Sequence, residues 1–181
     1  MPITQGYVAA LTNDADTIDV VAPTPLVLVG HGTHDRDGQA VMNQLTRAVA
    51  LALPDVPVVQ SFVSVQEPRL DAALAGLTSP AVVVPVLLCS GFHLLVDVAK
   101  AVDRHPGTVS TGALGPDPAL TDLLQRRLTE AGATPDDAVV LGIAGSSDPS
   151  GAVDAEAALA LFTRSASSWP VSPVGRNSRT P

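Results

Sequence analysis

The sequence predicts an α/β fold of three layers, in which a parallel β-sheet is flanked by helices. Two observations lead to this prediction. Short apolar runs alternate four times with amphipathic stretches of helical spacing, a pattern typical of strand–helix units in a parallel sheet. The chain is 46% hydrophobic but only 3% aromatic, and its apolar residues are mainly Ala, Val and Leu. Small and branched side chains of this kind suit strands that are buried on both faces.

The first two strand–helix units occupy the region before residue 78. Leu26–Gly30 is a short apolar run that predicts a buried strand, and a polar loop follows it over 32–38. A helix is predicted next, because apolar residues recur at helical spacing until Pro54 ends the pattern. The second unit consists of a predicted strand over 56–63 and a helix that begins at Pro68.

The third and fourth units follow without a break. Residues 81–88 are nearly all Val and Leu and give the strongest strand prediction. An amphipathic helix is predicted over 94–102, a weaker strand over 108–114, and a last helix over 120–128. In such a sheet all strands end at the same edge, and ligands bind beyond those carboxyl ends. The residues that follow each strand are therefore the first candidates for a functional site.

A partial internal repeat begins at residue 138. Residues 139–143 resemble the first strand, and the loop after them resembles the loop after that strand. The corresponding pairs are Gly32 and Gly145, Thr33 and Ser146, Asp35 and Asp148, and Gly38 and Gly151. We therefore expect a mobile leader (1–24), a complete unit (25–133), the start of an incomplete second unit (134–164) and a disordered tail rich in Ser, Pro and Arg (165–181).

Charge and cysteine content exclude several classes of partner. Ten basic and 18 acidic residues give a formal net charge of −8, which disfavours binding to nucleic acid or to anionic membranes. No apolar run approaches the ~20 residues needed to span a bilayer, and no signal peptide is indicated at the amino end. Cys89 is the single cysteine and is expected to be a buried strand residue. A chain that cannot form an internal disulfide fits the cytoplasm.

Two histidines follow predicted strands and are the candidate metal ligands. His31 lies between two glycines directly after the first strand, and His93 follows the strongest strand. Neutral imidazole binds Fe, Co, Ni or Zn, and it also acts as a general base near neutral pH. The alternatives are a turn-capping role for His31 and an ordinary first-turn helix position for His93.

Other polar residues near the histidines have weaker signals. Asp97 comes four residues after His93, so a helix puts both on one face, where the carboxylate can orient the imidazole. A solvated helix face explains Asp97 equally well. His34 is expected to be a solvated loop residue, and His105 is explained by its place at a helix end. Asp35 and Asp37 are expected to shape the loop or to cap the next helix.

In the segments that contain these residues, the sequence resembles the sirohydrochlorin chelatases, including the CbiX-type cobalt enzymes. The matching segments are 26–37, 62–70 and 82–97, and the first and third each contain a histidine in the expected place. The resemblance covers about residues 25–133 and continues into 138–163. Long members of the family have two halves, of which only one carries the metal histidines. Here Ala144 stands where the first copy has His31.

The resemblance implies a chelatase-like fold and the insertion of Co2+ or Fe2+, as substrate, into the tetrapyrrole sirohydrochlorin in cobalamin or siroheme biosynthesis. It implies no organic cofactor. His31 and His93 would hold the ion and accept the pyrrole protons. The substrate carboxylates are expected to meet backbone N–H groups of the two loops, those of Gly32, Thr33, Ser90 and Gly91.

Two departures from the family pattern leave alternatives open. Ser64 stands two residues after Phe62, where the family usually has an acidic residue that contributes to the metal site, and Glu67, three residues farther on, is a candidate substitute. The second half is also incomplete. A catalytically weakened relative that binds metal or tetrapyrrole without turnover, and a nonfunctional truncation product, are the alternatives to a chelatase. The incomplete half also predicts a homodimer or a partner subunit.

Overall fold

The computed structural model describes residues 23–89, 91, 93–143, 149–165 and 171–175. Its elements, in order, are β1 (Leu26–Gly30), α1 (Arg36–Ala52), β2 (Val58–Phe62), α2 (Leu70–Ala75), β3 (Val82–Pro85), a π-helical segment (His93–Val98) that continues into α3 (Ala99–Asp103), β4 (Val109–Ser110), α4 (Pro118–Glu130), β5 (Val139–Ile143), α5 (Pro149–Ser165) and β6 (Val171–Gly175). Most of the predicted leader, residues 1–22, lies outside this part. Among the described helices, none combines the length and hydropathy needed to cross a membrane.

The main sheet has four parallel strands in the order β2-β1-β3-β4. The central position of β1 follows from its two pairings, since Leu26 is opposite both Val58 of β2 and Val82 of β3. The predicted parallel sheet with flanking helices is confirmed. Because the strands are parallel, β1, β2 and β3 all end at the same edge of the sheet.

Alternate residues of β1 face different helices. Val27 and Val29 are fully buried and belong to the main hydrophobic core, which also includes residues of α2, the π-helical segment and α3. The other core members are Val63, Leu70, Leu74, Ala81, Val83, Val98 and Ala101. Burial of these aliphatic side chains fixes α2 and α3 against one face of the sheet.

The opposite face of the sheet packs against α1. A Cβ atom on Gly30 would lie 3.5 Å from the sulfur of Met42, so this helix lies close to the end of β1. Farther along α1, the Thr46 hydroxyl donates to Gln60 Oε1 at 2.7 Å. Helices therefore cover both faces of the sheet, which completes the three layers that the sequence predicts.

Strand lengths differ from the predictions in three places. β2 begins at Val58, because the Val56 N–H donates to the Leu53 carbonyl and closes the turn after α1. β4 has only two residues. β3 ends at Pro85, so that Cys89 lies four residues beyond the strand and is exposed. The prediction that Cys89 is a buried strand residue is wrong for this reason.

The second unit contains one more strand than the sequence predicts. β5 and β6 form a separate two-stranded parallel sheet, with Val139 opposite Val171, and α5 connects them. β6 therefore lies within the stretch that was predicted to be disordered. Pro173 of β6 has no N–H to donate, and an edge strand tolerates such a residue. Because proline is rare in strands, the sequence pattern does not indicate a strand here. Ala144, the counterpart of His31, lies outside the described residues.

Candidate metal site

His31 is the first residue after the central strand β1, and its side chain is exposed. Its backbone is held by the loop that follows β2. The Ser64 N–H donates to the His31 carbonyl at 3.0 Å, and the Val63 N–H donates to the Gly30 carbonyl at 2.9 Å. These two bonds tie the loop after β2 to the end of β1, and they bring Ser64 next to His31.

The His31 imidazole has a defined local contact. Nδ1 lies 3.1 Å from the carbonyl oxygen of Gly32. A carbonyl oxygen can only accept, so this contact is a hydrogen bond when the proton is on Nδ1. In that tautomer Nε2 carries a lone pair, which is the form that ligates a metal ion or accepts a proton.

Gly32 is required by the approach of the loop after β2. Its φ of +92° lies in the left-handed region, and a Cβ atom there would be 2.1 Å from the Ser64 carbonyl oxygen. Both glycines beside His31 have close neighbours, because a Cβ atom added at Gly30 would lie 3.5 Å from Met42 and one at Gly32 would meet the Ser64 carbonyl.

The backbone of Thr33 is held from two sides. Its N–H donates to Gln66 Oε1 and its carbonyl accepts from Gln39 Nε2, each at 2.9 Å. The Thr33 amide, which the sequence suggests for binding substrate carboxylates, is therefore already engaged within the protein. Neither glutamine was found by sequence reasoning, because no local pattern marks a side chain that bonds to a distant loop.

His93 is placed by the strand next to β1. β3 pairs with β1, with Val29 opposite Pro85, and His93 begins the π-helical segment that follows this strand. Both histidines thus follow adjacent parallel strands at the same edge. The His93 side chain and residue Ser90 lie outside the described part of the chain, whereas Gly91 is half-buried. The convergence of the two imidazoles stays a prediction.

The two candidates for the missing carboxylate have different surroundings. Ser64 is half-buried beside His31. Glu67 is exposed, and its Oε2 accepts from the Arg69 N–H at 2.8 Å at the start of α2. The Arg69 guanidinium in turn donates to the Val63 carbonyl and closes the base of the loop. The Glu67 carboxylate is therefore already engaged at the start of α2, which weakens its case as a substitute ligand.

Asp97 lines a cavity of about 120 Å³ between α2 and the helix that starts at His93. Arg69, Lys100 and Arg104 also line this cavity, and Arg104 forms an exposed ion pair with Asp71 at 2.7 Å. Asp97 is half-buried, but the side chain that it is predicted to orient is not described. The role of Asp97 stays a prediction.

The remaining candidates lie where local structure explains them. Asp35 caps α1, since its carboxylate accepts from the backbone N–H groups of Asp37 and Gly38, as predicted. His34 is exposed in the same loop, and the His105 N–H donates to the Val102 carbonyl at the end of α3. Among the side chains that the structure describes, no three His, Cys, Asp or Glu residues cluster as a metal site.

Comparison with known proteins assigns the family. A model of the CbiX family matches residues 25–131. The sirohydrochlorin cobaltochelatase of Methanosarcina acetivorans is 28% identical over 123 residues, which are 59% of this chain and 95% of that protein.

Two solved structures share the fold. SirB from Bacillus subtilis with Fe3+ aligns with a TM-score of 0.71 and 24% identity, over 88% of this chain and 68% of that one. The sirohydrochlorin chelatase SirB from Bacillus subtilis subspecies spizizenii, in complex with cobalt, aligns with a TM-score of 0.66 and 23% identity, over 84% of this chain and 67% of that one. Since the family model spans more than half of the sequence, the chain belongs to the CbiX family of sirohydrochlorin chelatases.

Proposed function

We propose that this protein inserts Co2+ or Fe2+ into sirohydrochlorin, and that His31 and His93 hold the ion and accept the pyrrole protons. The observation that carries the proposal is the position of His31 after the central strand, exposed, with Nδ1 beside the Gly32 carbonyl. This arrangement suits an imidazole that uses Nε2 for chemistry. Membership of the CbiX family supplies the substrate class.

The proton balance assigns both histidines two successive tasks. The macrocycle loses two pyrrole N–H protons while a divalent ion enters its centre, and the ion exchanges imidazole nitrogens for pyrrole nitrogens. Each imidazole lone pair that is released by the ion is then available to accept a proton. Because the His31 side chain is exposed, it can pass that proton to water after each turnover.

The substrate carboxylates are proposed to meet the loops around the site. Because the Thr33 N–H already donates to Gln66, the backbone donors proposed for these carboxylates are those of Gly32, Ser90 and Gly91.

Imidazole accepts both cobalt and iron, and the two SirB structures contain Fe3+ and cobalt, respectively. We therefore propose both ions as substrates, with no organic cofactor. A cytoplasmic location is part of the proposal, since Cys89 is the single cysteine and is free.

Ser64 favours the second candidate function, a relative that binds metal or tetrapyrrole without turnover. A hydroxyl is a poorer ligand and a weaker base than a carboxylate, and Glu67 is engaged at the start of α2. Replacing Ser64 with Glu is expected to raise the rate of Co2+ insertion at least about tenfold, which is below the roughly 100-fold or more that a fully positioned general base contributes. Anaerobic absorption spectroscopy of sirohydrochlorin with Co2+ measures this rate.

Ser64→Gln is the matched control, because it has the size of Glu without the charge or basicity. It is expected to keep the wild-type rate. An insertion rate no faster than the uncatalysed rate for the wild type, restored by Ser64→Glu, would establish the binding-only function. Equal rates for wild type and Ser64→Glu, both well above the uncatalysed rate, would show that the carboxylate is dispensable here.

A second copy of the chain or a partner subunit is proposed to complete the assembly. Among the described residues, α1 exposes the apolar side chains of Val41 (63%) and Leu51 (76%), and β5 and β6 form a sheet of only two strands. Two-stranded sheets are marginally stable without further packing. Light scattering is expected to give at least twice the monomer mass, and a stable monomer at micromolar concentration would contradict this.

A further inference from the structure

One peptide group links His31 to a residue that has no assigned function. The peptide between Gly32 and Thr33 is bonded at both ends. Its carbonyl, which belongs to Gly32, lies 3.1 Å from His31 Nδ1, and its N–H, which belongs to Thr33, donates to Gln66 Oε1 at 2.9 Å. Because a peptide group is planar, fixing the N–H also fixes the direction of the carbonyl.

The direction of this carbonyl matters for the imidazole. An acceptor beside Nδ1 keeps the proton on that nitrogen and leaves the lone pair on Nε2. Metal-ligating histidines commonly donate their other ring N–H to a carbonyl or a carboxylate, and this bond sets the ring orientation. A hydrogen bond at the peptide N–H also polarises its carbonyl and makes it a better acceptor.

Gln66 is itself held in place. Its backbone N–H donates to the Ser64 carbonyl at 2.6 Å, and the Ser64 N–H donates to the His31 carbonyl at 3.0 Å. The Gln66 side chain is half-buried. The backbone bonds of the loop after β2 therefore hold Gln66 where its Oε1 atom meets the Thr33 N–H.

We propose that Gln66 is a positioning residue, which fixes the tautomer and orientation of the His31 imidazole through the peptide between Gly32 and Thr33. The inference rests on the proposed function only where it takes His31 Nε2 to bind the metal ion and to accept a proton. The bonding of the peptide itself is independent of any reaction.

Gln39 provides a matched comparison within the same loop. It is also half-buried, and it also bonds the Thr33 backbone at 2.9 Å. Its partner is the Thr33 carbonyl, however, which belongs to the next peptide and does not contact His31 in this way. Loss of either glutamine removes one hydrogen bond, but only Gln66 bonds the peptide whose carbonyl meets Nδ1.

The test compares Gln66→Met with Gln39→Met, since methionine has a similar size and lacks the amide. The first measurement is the ¹⁵N chemical shift of the His31 ring nitrogens in metal-free protein at about pH 8, where an ordinary imidazole is neutral. Wild type and Gln39→Met are expected to show the Nδ1–H tautomer, and Gln66→Met a shift toward Nε2–H. Gln66→Glu retains an acceptor and is expected to keep the wild-type tautomer.

The second measurement is Co2+ affinity by calorimetry. Gln66→Met is expected to bind Co2+ about 10- to 100-fold more weakly, as is usual when the partner of a metal ligand is lost, while Gln39→Met and Gln66→Glu stay close to wild type. Should Gln66→Met not fold, Gln66→Asn withdraws the same amide by one methylene and is expected to shift the tautomer in the same direction.

Two outcomes would overturn the assignment of Gln66. One is a wild-type tautomer in Gln66→Met, and the other is an equal tautomer shift in Gln39→Met, which would indicate general loosening of the loop. Wild-type protein that fails to bind Co2+, with the tautomer shift still present in Gln66→Met, would refute the metal site and leave the positioning role of Gln66 supported.

Discussion

Replacing His31 with Ala is expected to lower the rate of Co2+ insertion into sirohydrochlorin at least about 100-fold, to the level of the uncatalysed reaction. The variant loses both a ligand for the entering ion and an acceptor for a pyrrole proton. The fold should persist, because the side chain is exposed and the bond to Ser64 is made by the His31 backbone carbonyl, which the variant keeps. Absorption spectroscopy under anaerobic conditions measures the rate, and circular dichroism verifies the fold.

His34→Ala is the control for this prediction. His34 lies three residues farther along the same loop and is also exposed, so its removal has the same effect on net charge without affecting the proposed site. It is expected to keep the wild-type rate. His93→Ala should match His31→Ala, and the double variant should be no slower than either, since the two residues act as a unit. A fully active His31→Ala variant would refute the proposed role.

The Gly32→Ala variant is expected to lose at least about 2 kcal/mol of stability. At a φ of +92° an alanine is strained, and its Cβ would lie 2.1 Å from the Ser64 carbonyl oxygen. Backbone atoms cannot move aside as a flexible side chain can, so the loop after β2 must shift away from His31. We expect the same variant to lose metal insertion. Urea unfolding monitored by circular dichroism measures the stability.

Gly112→Ala serves as the control for the glycine prediction. A Cβ atom at Gly112 would meet nothing within 4 Å, and its φ is not among the positive values. Its stability is expected to change by less than about 0.5 kcal/mol. Equal stabilities for Gly32→Ala and Gly112→Ala would show that the loops after β1 and β2 are not in close contact in solution.

Local patterns were sufficient to predict the elements that carry the site. Leu26–Gly30 is apolar throughout, and this run correctly predicts the strand β1 and the position of His31 after it, whereas the central place of β1 in the sheet is known only from the structure. Asp35 precedes a helical pattern, and its role as a cap of α1 follows from residues two and three positions away. Contacts of this range can be read from a sequence, because the geometry of a strand end or of a first helical turn is nearly fixed.

Contacts between loops could not be predicted in the same way. Gln66 bonds to Thr33 across 33 residues, and nothing in the composition of either loop indicates this pairing. Glu67 is two residues from Arg69 in sequence, but its use at the start of α2 depends on the path of the loop. The prediction that Cys89 is buried failed for a related reason, because an apolar run does not reveal where its strand stops pairing.

The most direct test of the central claim is a crystal structure of the protein soaked with Co2+ under anaerobic conditions, with the ion located by its anomalous scattering. We expect one cobalt ion beyond the ends of β1 and β3, bound by imidazole nitrogens of both His31 and His93 at about 2.1 Å, with Nε2 as the His31 ligand. A cobalt ion bound elsewhere, or an imidazole of His93 directed away from His31, would contradict the proposed site.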